Sequence, residues 1–377
     1  MKILHVGPLT MDVGGPALST YYTVKGLSAA GVDVSLLTRY PEDDQTLFGT
    51  DIQTMFWEDS KEHFAGYRKG VNRTLSSLEK PDLIHMQGIW LYQYHQIAKY
   101  AKQHGIPYIL TPRGSLYPQA LQVSKLKKKL SRAVYQDKDL QNAACIQVTC
   151  KEELEHYRNL GFTNPAAIIP NPIDVHQFEG HEPTVKDTIK IGYLGRLHQR
   201  KRVERIFEAV SLLGDKATNI EIEIIGGGEA DCEAFLRETS KKLSLKKVNF
   251  RGFLVGEEKD KAISELSLLV LPSDYENFGN VVTEALVRGV PAVVTKGAPW
   301  EGINENHCGW WIENSVENIA SSIEKFLDMT PAQRLEMGKN AQNFIFNTLS
   351  VESVTAMYLQ LYDWILNKSG KPDFVFD

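Results

Sequence analysis

The chain has 377 residues, 42% hydrophobic and 24% charged, enough for two ordinary cores and too many for one. Its net charge of −5 implies no global attraction to nucleic acid or acidic lipid, so any basic surface must be local. The four cysteines, Cys145, Cys150, Cys232 and Cys308, form no C-x-x-C pair and read as reduced thiols, and no apolar run approaches the length of a membrane span.

The first residues, MKILHVG, run straight into a strand without a signal-peptide pattern, so a cytoplasmic location is expected. Residues 3–6 read as that strand. Gly7, Pro8, Gly14, Gly15 and Pro16 form the next loop, with Pro16 suited to the first helical position. The helix runs to about residue 30, Gly31 ends it, and residues 32–37 are the second strand. This βαβ opening lacks G-x-G-x-x-G and carries Thr38 and Arg39 where a dinucleotide site wants an acid. Residues 82–85 and 107–110 are further strands. Their loops, MQGIW and TPRGSLYP, carry Gln87, Trp90, Arg113 and Tyr117, with His85 at the end of its strand. Arg113 suits either bidentate oxyanion binding or a rim salt bridge. His85 alone reads equally as a packed strand-end histidine.

Residues 124–135, SKLKKKLSRAVY, form a basic amphipathic helix. Leu126, Leu130 and Val134 share one face, while Lys125, Lys128, Lys129 and Arg132 cluster opposite. The helix reads as an ordinary solvated face or as a surface that docks on anionic lipid. Residues 144–149 are a strand and 151–160 a helix ended by Gly161. AIIPNPIDVHQF, stiffened by Pro170 and Pro172, closes a first domain of residues 1–170. Polar sequence over 171–187 is the linker.

A second domain, residues 188–350, opens on IKIGYLGRLHQRKRVERIFEAVSLL: strand, loop, helix. Arg196 and Lys201 sit in its loop, and Arg200, Arg202 and Arg205 read as solvated helix charges. Residues 221–225 are a strand, followed by the close-approach turn Gly226-Gly227-Gly228; residues 248–250 and Gly252 repeat the pattern. Then comes LLVLPSDYENFGNVVTEALVRGVPAVVTKGAPW, residues 268–300. Residues 268–271 are an apolar run of the kind a doubly buried strand shows. Gly279 and Asn280 open a helix that residues 281–288 continue, and Gly289 suits its cap. The loop lies at the carboxyl end of its strand, where open α/β sheets bind ligands.

Backbone N–H groups from Phe278 to residue 281 would point out of that helix and suit a phosphate. Gly279 lets a ligand approach the backbone. Glu276 and Glu284, spaced E-x7-E, would repel phosphate and are better used on hydroxyl groups. Phosphates flanked by hydroxyl-rich groups describe a nucleotide sugar. Taken singly, Glu276 also reads as a helix cap and Glu284 as a solvated helix residue. The last helix, from residue 351 to about 367, carries Val354, Tyr358, Leu361 and Ile365 on one stripe.

E-N-F-G-x-x-x-x-E-A-L, after a PS strand end and before G-x-P-x-V, resembles the signature of retaining glycosyltransferases of family 4. G-R-L-x-x-x-K at residues 195–201 matches a second motif of that family, and the resemblance spans nearly the whole chain. It implies an α/β protein of GT-B fold, with two Rossmann-like, doubly wound parallel-sheet domains facing a cleft. Residues 1–170 would be the acceptor domain, with the C-terminal helix, 351–377, packing back on it, and 188–350 the nucleotide-sugar donor domain. The implied reaction is retaining and metal-independent, uses a UDP- or GDP-sugar as donor, and needs no cofactor.

By resemblance, Arg196 and Lys201 grip the donor diphosphate; two cations there would neutralise the departing charge without proton transfer. Glu284 would meet the ribose hydroxyls and Glu276 the sugar, and Glu276, Arg196 and Lys201 would form the catalytic set. Gly15, Gly195, Gly227, Phe253, Leu254, Asn277, Phe278, Gly279 and Asn280 would complete the donor site, with the nucleotide base near Phe253 and Leu254. His85, Trp90, Arg113 and Tyr117 would line the acceptor side. Many family members carry histidine where Arg113 stands, which leaves open whether Arg113 serves donor or acceptor. The TPRG and APW loops are similar to those of bacterial surface-polysaccharide enzymes. That implies a glycan or lipid-linked acceptor and a place at the inner face of the plasma membrane. Three rivals stand beside this reading. A glycoside hydrolase would want two facing carboxylates and no phosphate grip. A nucleotide-sugar epimerase would turn over donor without acceptor, and a non-catalytic sensor would bind donor without turnover.

Overall fold

The apolar runs become strands buried on both faces, and they sort into two sheets. The computed structural model describes residues 1–42, 45–49, 51–57 and 69–377, and the counts below refer to these. One unit comprises Met1–Asp174 and Leu349–Asp377, the other Val175–Thr348.

In the first unit the strands are β1 (Lys2–Val6), β2 (Asp33–Arg39), β3 (Thr54–Trp57), β4 (Leu83–Gln87), β5 (Tyr108–Thr111), β6 (Cys145–Val148) and β7 (Ala166–Ile168). They pair in parallel in the order β7-β6-β5-β4-β1-β2-β3. The order reverses between β1 and β4, a topological switch point. One face of the sheet packs against a cluster that includes Val71, Leu75, Ile97 and Tyr157. The other packs against Val24 and Leu27 of the helix Gly15–Ala29 and against Val354, Tyr358, Leu361 and Tyr362 of the helix Val351–Ile365. The stripe on the last helix is therefore part of this unit's core. The chain then ends with Val375–Phe376 antiparallel to β7, a pairing too short to show as a pattern. Pro16 is the second rather than the first residue of its helix, which Gly15 begins.

The second unit holds β8 (Ile189–Leu194), β9 (Ile220–Ile225), β10 (Val248–Gly252), β11 (Leu268–Leu271), β12 (Ala292–Thr295) and β13 (Gly309–Ile312). They are all parallel, in the order β10-β9-β8-β11-β12-β13. Leu268–Leu271 lies between β8 and β12 and is buried throughout, which is why it reads as a continuous apolar run. The order reverses between β8 and β11, so the G-R-L-x-x-x-K loop and the E-N-F-G loop leave adjacent strands at the switch point. Among the described residues no helix is long and apolar enough to cross a membrane.

Candidate active site

The loop after β8 is fixed from below. The Gly195 N–H donates to the Ile225 carbonyl and the Leu197 N–H to the Gly227 carbonyl, both at 2.9 Å. The Tyr193 hydroxyl donates to the Arg196 carbonyl at 2.9 Å. A Cβ on Gly226 would lie 2.0 Å from the Gly195 carbonyl oxygen, so the two turns cross there only because Gly226 has no side chain. Lys201 ends a single 3-10 turn, Gln199–Lys201, and forms an ion pair with Glu276. Both side chains are largely buried. The Ser273 hydroxyl donates to the same Glu276 oxygen at 2.8 Å, and the Glu276 N–H donates to the Gly297 carbonyl at 2.6 Å.

The neighbouring arginines clamp the two loops together. The Asp274 N–H donates to the Arg200 carbonyl at 2.9 Å, and Arg202 Nε lies 2.6 Å from an Asp274 carboxylate oxygen. Arg205 reaches the other oxygen at 3.8 Å, and the Arg200 guanidinium sits 5.1 Å from the Tyr275 ring centre. The reading of Arg202 and Arg205 as solvated helix charges is corrected, whereas the Arg200 side chain is exposed. Arg202 and Arg205 hold the switch-point loops, because the fold returns Asp274 to them from the next strand.

Beyond Glu276 the chain turns at Gly279, whose φ is +83°, a left-handed conformation that disfavours side chains. The helix that follows is Asn280–Leu286, shorter than the sequence pattern, and no side chain caps its N-terminus. Glu276 is thus engaged by Lys201 and Ser273 rather than serving as a cap. The Phe278 ring is buried 5.3 Å from the Trp300 ring, and Trp300 Nε1 donates to the Phe278 carbonyl at 2.6 Å. Phe278 therefore offers a ligand backbone rather than ring. Asn277 is half-buried beside it. Glu284 is not a solvated residue. It is largely buried and lies 2.7 Å from Lys259, on the helix Gly256–Ser264.

The two carboxylates of E-x7-E are thus held by two different lysines. Arg196 is 72% exposed, with Glu229 at 3.9 Å. Phe253 is 80% exposed and stands over Gly227, whose added Cβ would lie 3.8 Å from its own; Leu254 is half-buried. Ser273, Asp274 and Lys259 were not singled out from the sequence. Only Ser273 carried a signal, as the residue closing the PS strand end.

The first unit holds the other group of candidates. Gly15 opens its helix after Gly14, whose φ is +71°. The His85 side chain is completely buried. Its Nε2 lies 2.9 Å from Thr111 Oγ1 and its Nδ1 2.8 Å from the Tyr362 hydroxyl. The Thr111 hydroxyl donates to Gln147 Oε1, whose amide nitrogen donates to the Ile169 carbonyl. Thr111 then accepts from His85 Nε2–H and His85 Nδ1 accepts from Tyr362, which makes the 3.3 Å approach of Gln87 Nε2 to His85 Nε2 a contact between two donors rather than a hydrogen bond. The Tyr362 oxygen in turn accepts from His5 Nε2, 3.1 Å away, which leaves His5 Nδ1 buried without a partner. Both imidazoles are neutral in this scheme. Burial holds His85 well below the usual histidine range and lowers His5 to about 3, with the Arg113 charge pushing the same way.

Tyr117 is also buried; its hydroxyl lies 3.6 Å from Cys150 Sγ and its ring 4.6 Å from that of His156. The expectation that His85 and Tyr117 line an acceptor surface is corrected, since both side chains are core. Trp90 takes a φ of +75°, and its Nε1 donates to the Ser115 carbonyl at 3.3 Å. Arg113 is half-buried. Its Nε donates to Gln87 Oε1 at 3.0 Å, Nη1 to Asn171 Oδ1 at 3.0 Å and Nη2 to Ser19 Oγ at 3.2 Å. All three acceptors are neutral, and burial pushes its pKa down. Among the described residues its charge meets no carboxylate at salt-bridge distance, so it is not a rim salt bridge.

Residues 14–172 match the glycosyl transferase 4-like domain, and residues 176–344 match glycosyl transferases group 1. Together the two matches cover most of the chain. The chain belongs to the glycosyltransferases. It is similar to the poly(ribitol-phosphate) alpha-N-acetylglucosaminyltransferase of Staphylococcus aureus (strain COL), 27% identical over 199 residues, which is 52% of this chain and 39% of that one. The chain spans less than half the length of the first curated relatives it matches. Sucrose-phosphate synthase from Thermosynechococcus elongatus superposes with a TM-score of 0.71 at 18% identity, covering 98% of this chain and 100% of that one. Anabaena Alr3699/HepE, solved in complex with UDP-glucose, gives a TM-score of 0.71 at 16% identity, covering 97% of this chain and 100% of that one. The fold is GT-B, with two parallel-sheet α/β domains.

Proposed function

We propose that this glycosyltransferase is retaining and metal-independent, and that it moves a sugar from a UDP- or GDP-sugar to a glycan or lipid-linked saccharide. Its setting would be surface-polysaccharide synthesis at the cytoplasmic membrane face. The observation that carries the reading is the Lys201–Glu276–Ser273 group at the switch point between β8 and β11. It sets a cation and a hydrogen-bond acceptor side by side where a nucleotide sugar needs both. One of the three Lys201 N–H groups serves Glu276, and the other two are available in kind for phosphate oxygens. Lys201 and the exposed Arg196 would neutralise the diphosphate as the glycosidic bond breaks. Glu276 would accept from a hydroxyl of the sugar, and Glu284, steadied by Lys259, from the ribose. The backbone at Gly195, Gly227 and Phe278 to Asn280 would approach the phosphates, and Phe253 with Leu254 the base. By the same reading Gly15 serves the donor, and Trp90 and Arg113 serve the acceptor. Each site carboxylate has its own lysine, an arrangement that a two-carboxylate hydrolase does not require.

The test is a melting-temperature panel of UDP, GDP, ADP, dTDP and CMP with their sugar conjugates, first without metal and then with magnesium. A ligand that binds only the native state raises the melting temperature, by about 2.7 kcal/mol of stability at a hundredfold excess over Kd. The expected result is a shift with UDP or GDP without metal. No shift with any nucleotide would overturn the donor site, and a shift that needs magnesium would overturn metal independence alone.

A further inference from the structure

The helix at residues 125–136 faces the opposite way from an ordinary surface helix. It runs as an α-helix over Lys125–Ser131 and continues through one π turn, Arg132–Gln136. Its inward side is the polar one. The Lys128 ammonium donates to the Ala120 carbonyl at 2.6 Å and sits 5.3 Å from the Trp90 ring centre, and burial lowers its pKa. Arg132 Nε lies 2.8 Å from Asp137 Oδ1, and the buried Tyr135 donates to the Trp90 carbonyl at 3.0 Å. The outward side is apolar: Leu126 is 83% exposed, Leu130 67% and Val134 60%, at four-residue spacing, with Val123 exposed one turn before. Lys125, Lys127 and Lys129 are exposed along the flanks of this stripe. Residues 118–136 contain four lysines, one arginine and no acid, in a chain of net charge −5. The sequence pattern had set Lys128 and Arg132 among the outward charges. The structure turns them inward and presents the leucines instead.

We infer that this helix is a docking surface for an anionic lipid bilayer, lying in the plane of the interface with Leu126, Leu130 and Val134 among the acyl chains. An apolar stripe kept in water by a folded protein costs free energy that burial in an interface recovers. Flanking lysines can keep their stems along the apolar zone and their ammonium groups among lipid phosphates. Charge complementarity selects an acidic surface, and a single convex helix with a narrow stripe fits a fluid interface better than a folded partner's groove. The inference stands apart from the donor chemistry. It assigns the surface that would meet the membrane at which the proposed function sets the enzyme, and through Trp90 the helix is seated on one of the loops assigned to the acceptor.

The experiment is co-sedimentation of the full chain with phosphatidylcholine vesicles, with and without phosphatidylglycerol, at low and high salt. Binding is expected only to the phosphatidylglycerol vesicles and should weaken in salt. Each lysine near the surface is worth about fivefold, so a Lys125→Gln, Lys127→Gln, Lys129→Gln variant should bind about a hundredfold more weakly. Leu126→Gln with Leu130→Gln should abolish sedimentation yet leave the melting temperature and its nucleotide shift unchanged, because neither leucine packs in the core. Absence of wild-type binding to anionic vesicles would overturn the inference, as would binding indifferent to the leucines. So would a dimer in sedimentation velocity that Leu126→Gln dissociates, since the stripe would then be covered by a second copy. A missing nucleotide shift with intact vesicle binding would fault only the donor reading.

Discussion

Lys201 in the second unit and Arg113 in the first are both cations drawn into the protein on loops that leave strand ends, and they are satisfied in different ways. Lys201 is paired with Glu276, which also accepts from Ser273. Arg113 donates to Gln87, Asn171 and Ser19, which are neutral. A paired cation is already neutralised, so in the proposed donor site a phosphate would share it with the carboxylate and the two groups would act as a unit. A cation among neutral acceptors loses hydration without a carboxylate at salt-bridge distance, although the buried Glu153 acts on it from farther away. Similar burial thus gives an ion pair in one place and a cation held by neutral groups in the other.

The largest expected effects come from breaking the unit. Lys201→Ala should lower kcat/KM for transfer by about 10²–10³, the scale of removing one preorganised charge stabiliser, and should also weaken nucleotide binding. Glu276→Gln keeps shape and a hydrogen bond to Ser273, so it should cost turnover on the same scale while leaving the UDP melting shift nearly intact. Transfer rates unchanged in both variants would remove the pair from the site. At Arg113 the expected effect is smaller and falls on one substrate. Arg113→Lys keeps the charge but loses the fork. It should raise the KM for acceptor about ten- to a hundredfold, the worth of a charge-assisted hydrogen bond, with the nucleotide shift unchanged. A reduced nucleotide shift instead would move Arg113 to the donor.

The α/β class and the two sheets were legible because a doubly buried strand must be a continuous apolar run, as at Leu268–Leu271. The switch-point loops were legible because crossing turns and left-handed positions need glycine, as at Gly226 and Gly279. The partners were not legible. Lys201 and Glu276 lie 75 residues apart, and His85 and Tyr362 lie 277 apart, and a single sequence does not encode such pairs as a local pattern. His85 and Tyr117 therefore looked like loop chemistry, although the fold makes them core. In the 125–136 helix the periodicity established that an apolar stripe exists but not which side of it meets water. That depended on Trp90 and Lys128 meeting beneath it.

The smallest expected effects test the polar seam that fastens the last helix to the first sheet. Tyr362→Phe would leave His85 Nδ1 without a donor and His5 Nε2–H without an acceptor, at a cost of about 1–3 kcal/mol for such a buried loss, read as a lower urea midpoint. The same seam sets a pH dependence. Both histidines have folded pKa values pushed below the unfolded value of about 6.5. As pH falls below that value the unfolded chain takes up protons that the native protein refuses. Stability is therefore lost on acidification from about 6.5 down toward the folded values, at up to about 1.4 kcal/mol per pH unit for each histidine. Glu153 opposes this. Its burial raises its carboxyl pKa, although Gly114 and Thr149 donate to it. Just above the ordinary glutamate range the native state therefore holds a proton that the unfolded state has lost, and stability falls there as pH rises. Asp139, Glu152 and Glu204, also raised by burial, act in the same direction as Glu153, so the histidine contribution is read as a difference: from pH 5 to pH 6.5 the urea midpoint of His5→Leu should rise less, or fall more, than that of the wild type. Identical pH dependences in wild type and His5→Leu would mean that the His5 imidazole takes up its proton in the native state, and the neutral tautomers assigned to the seam would be wrong.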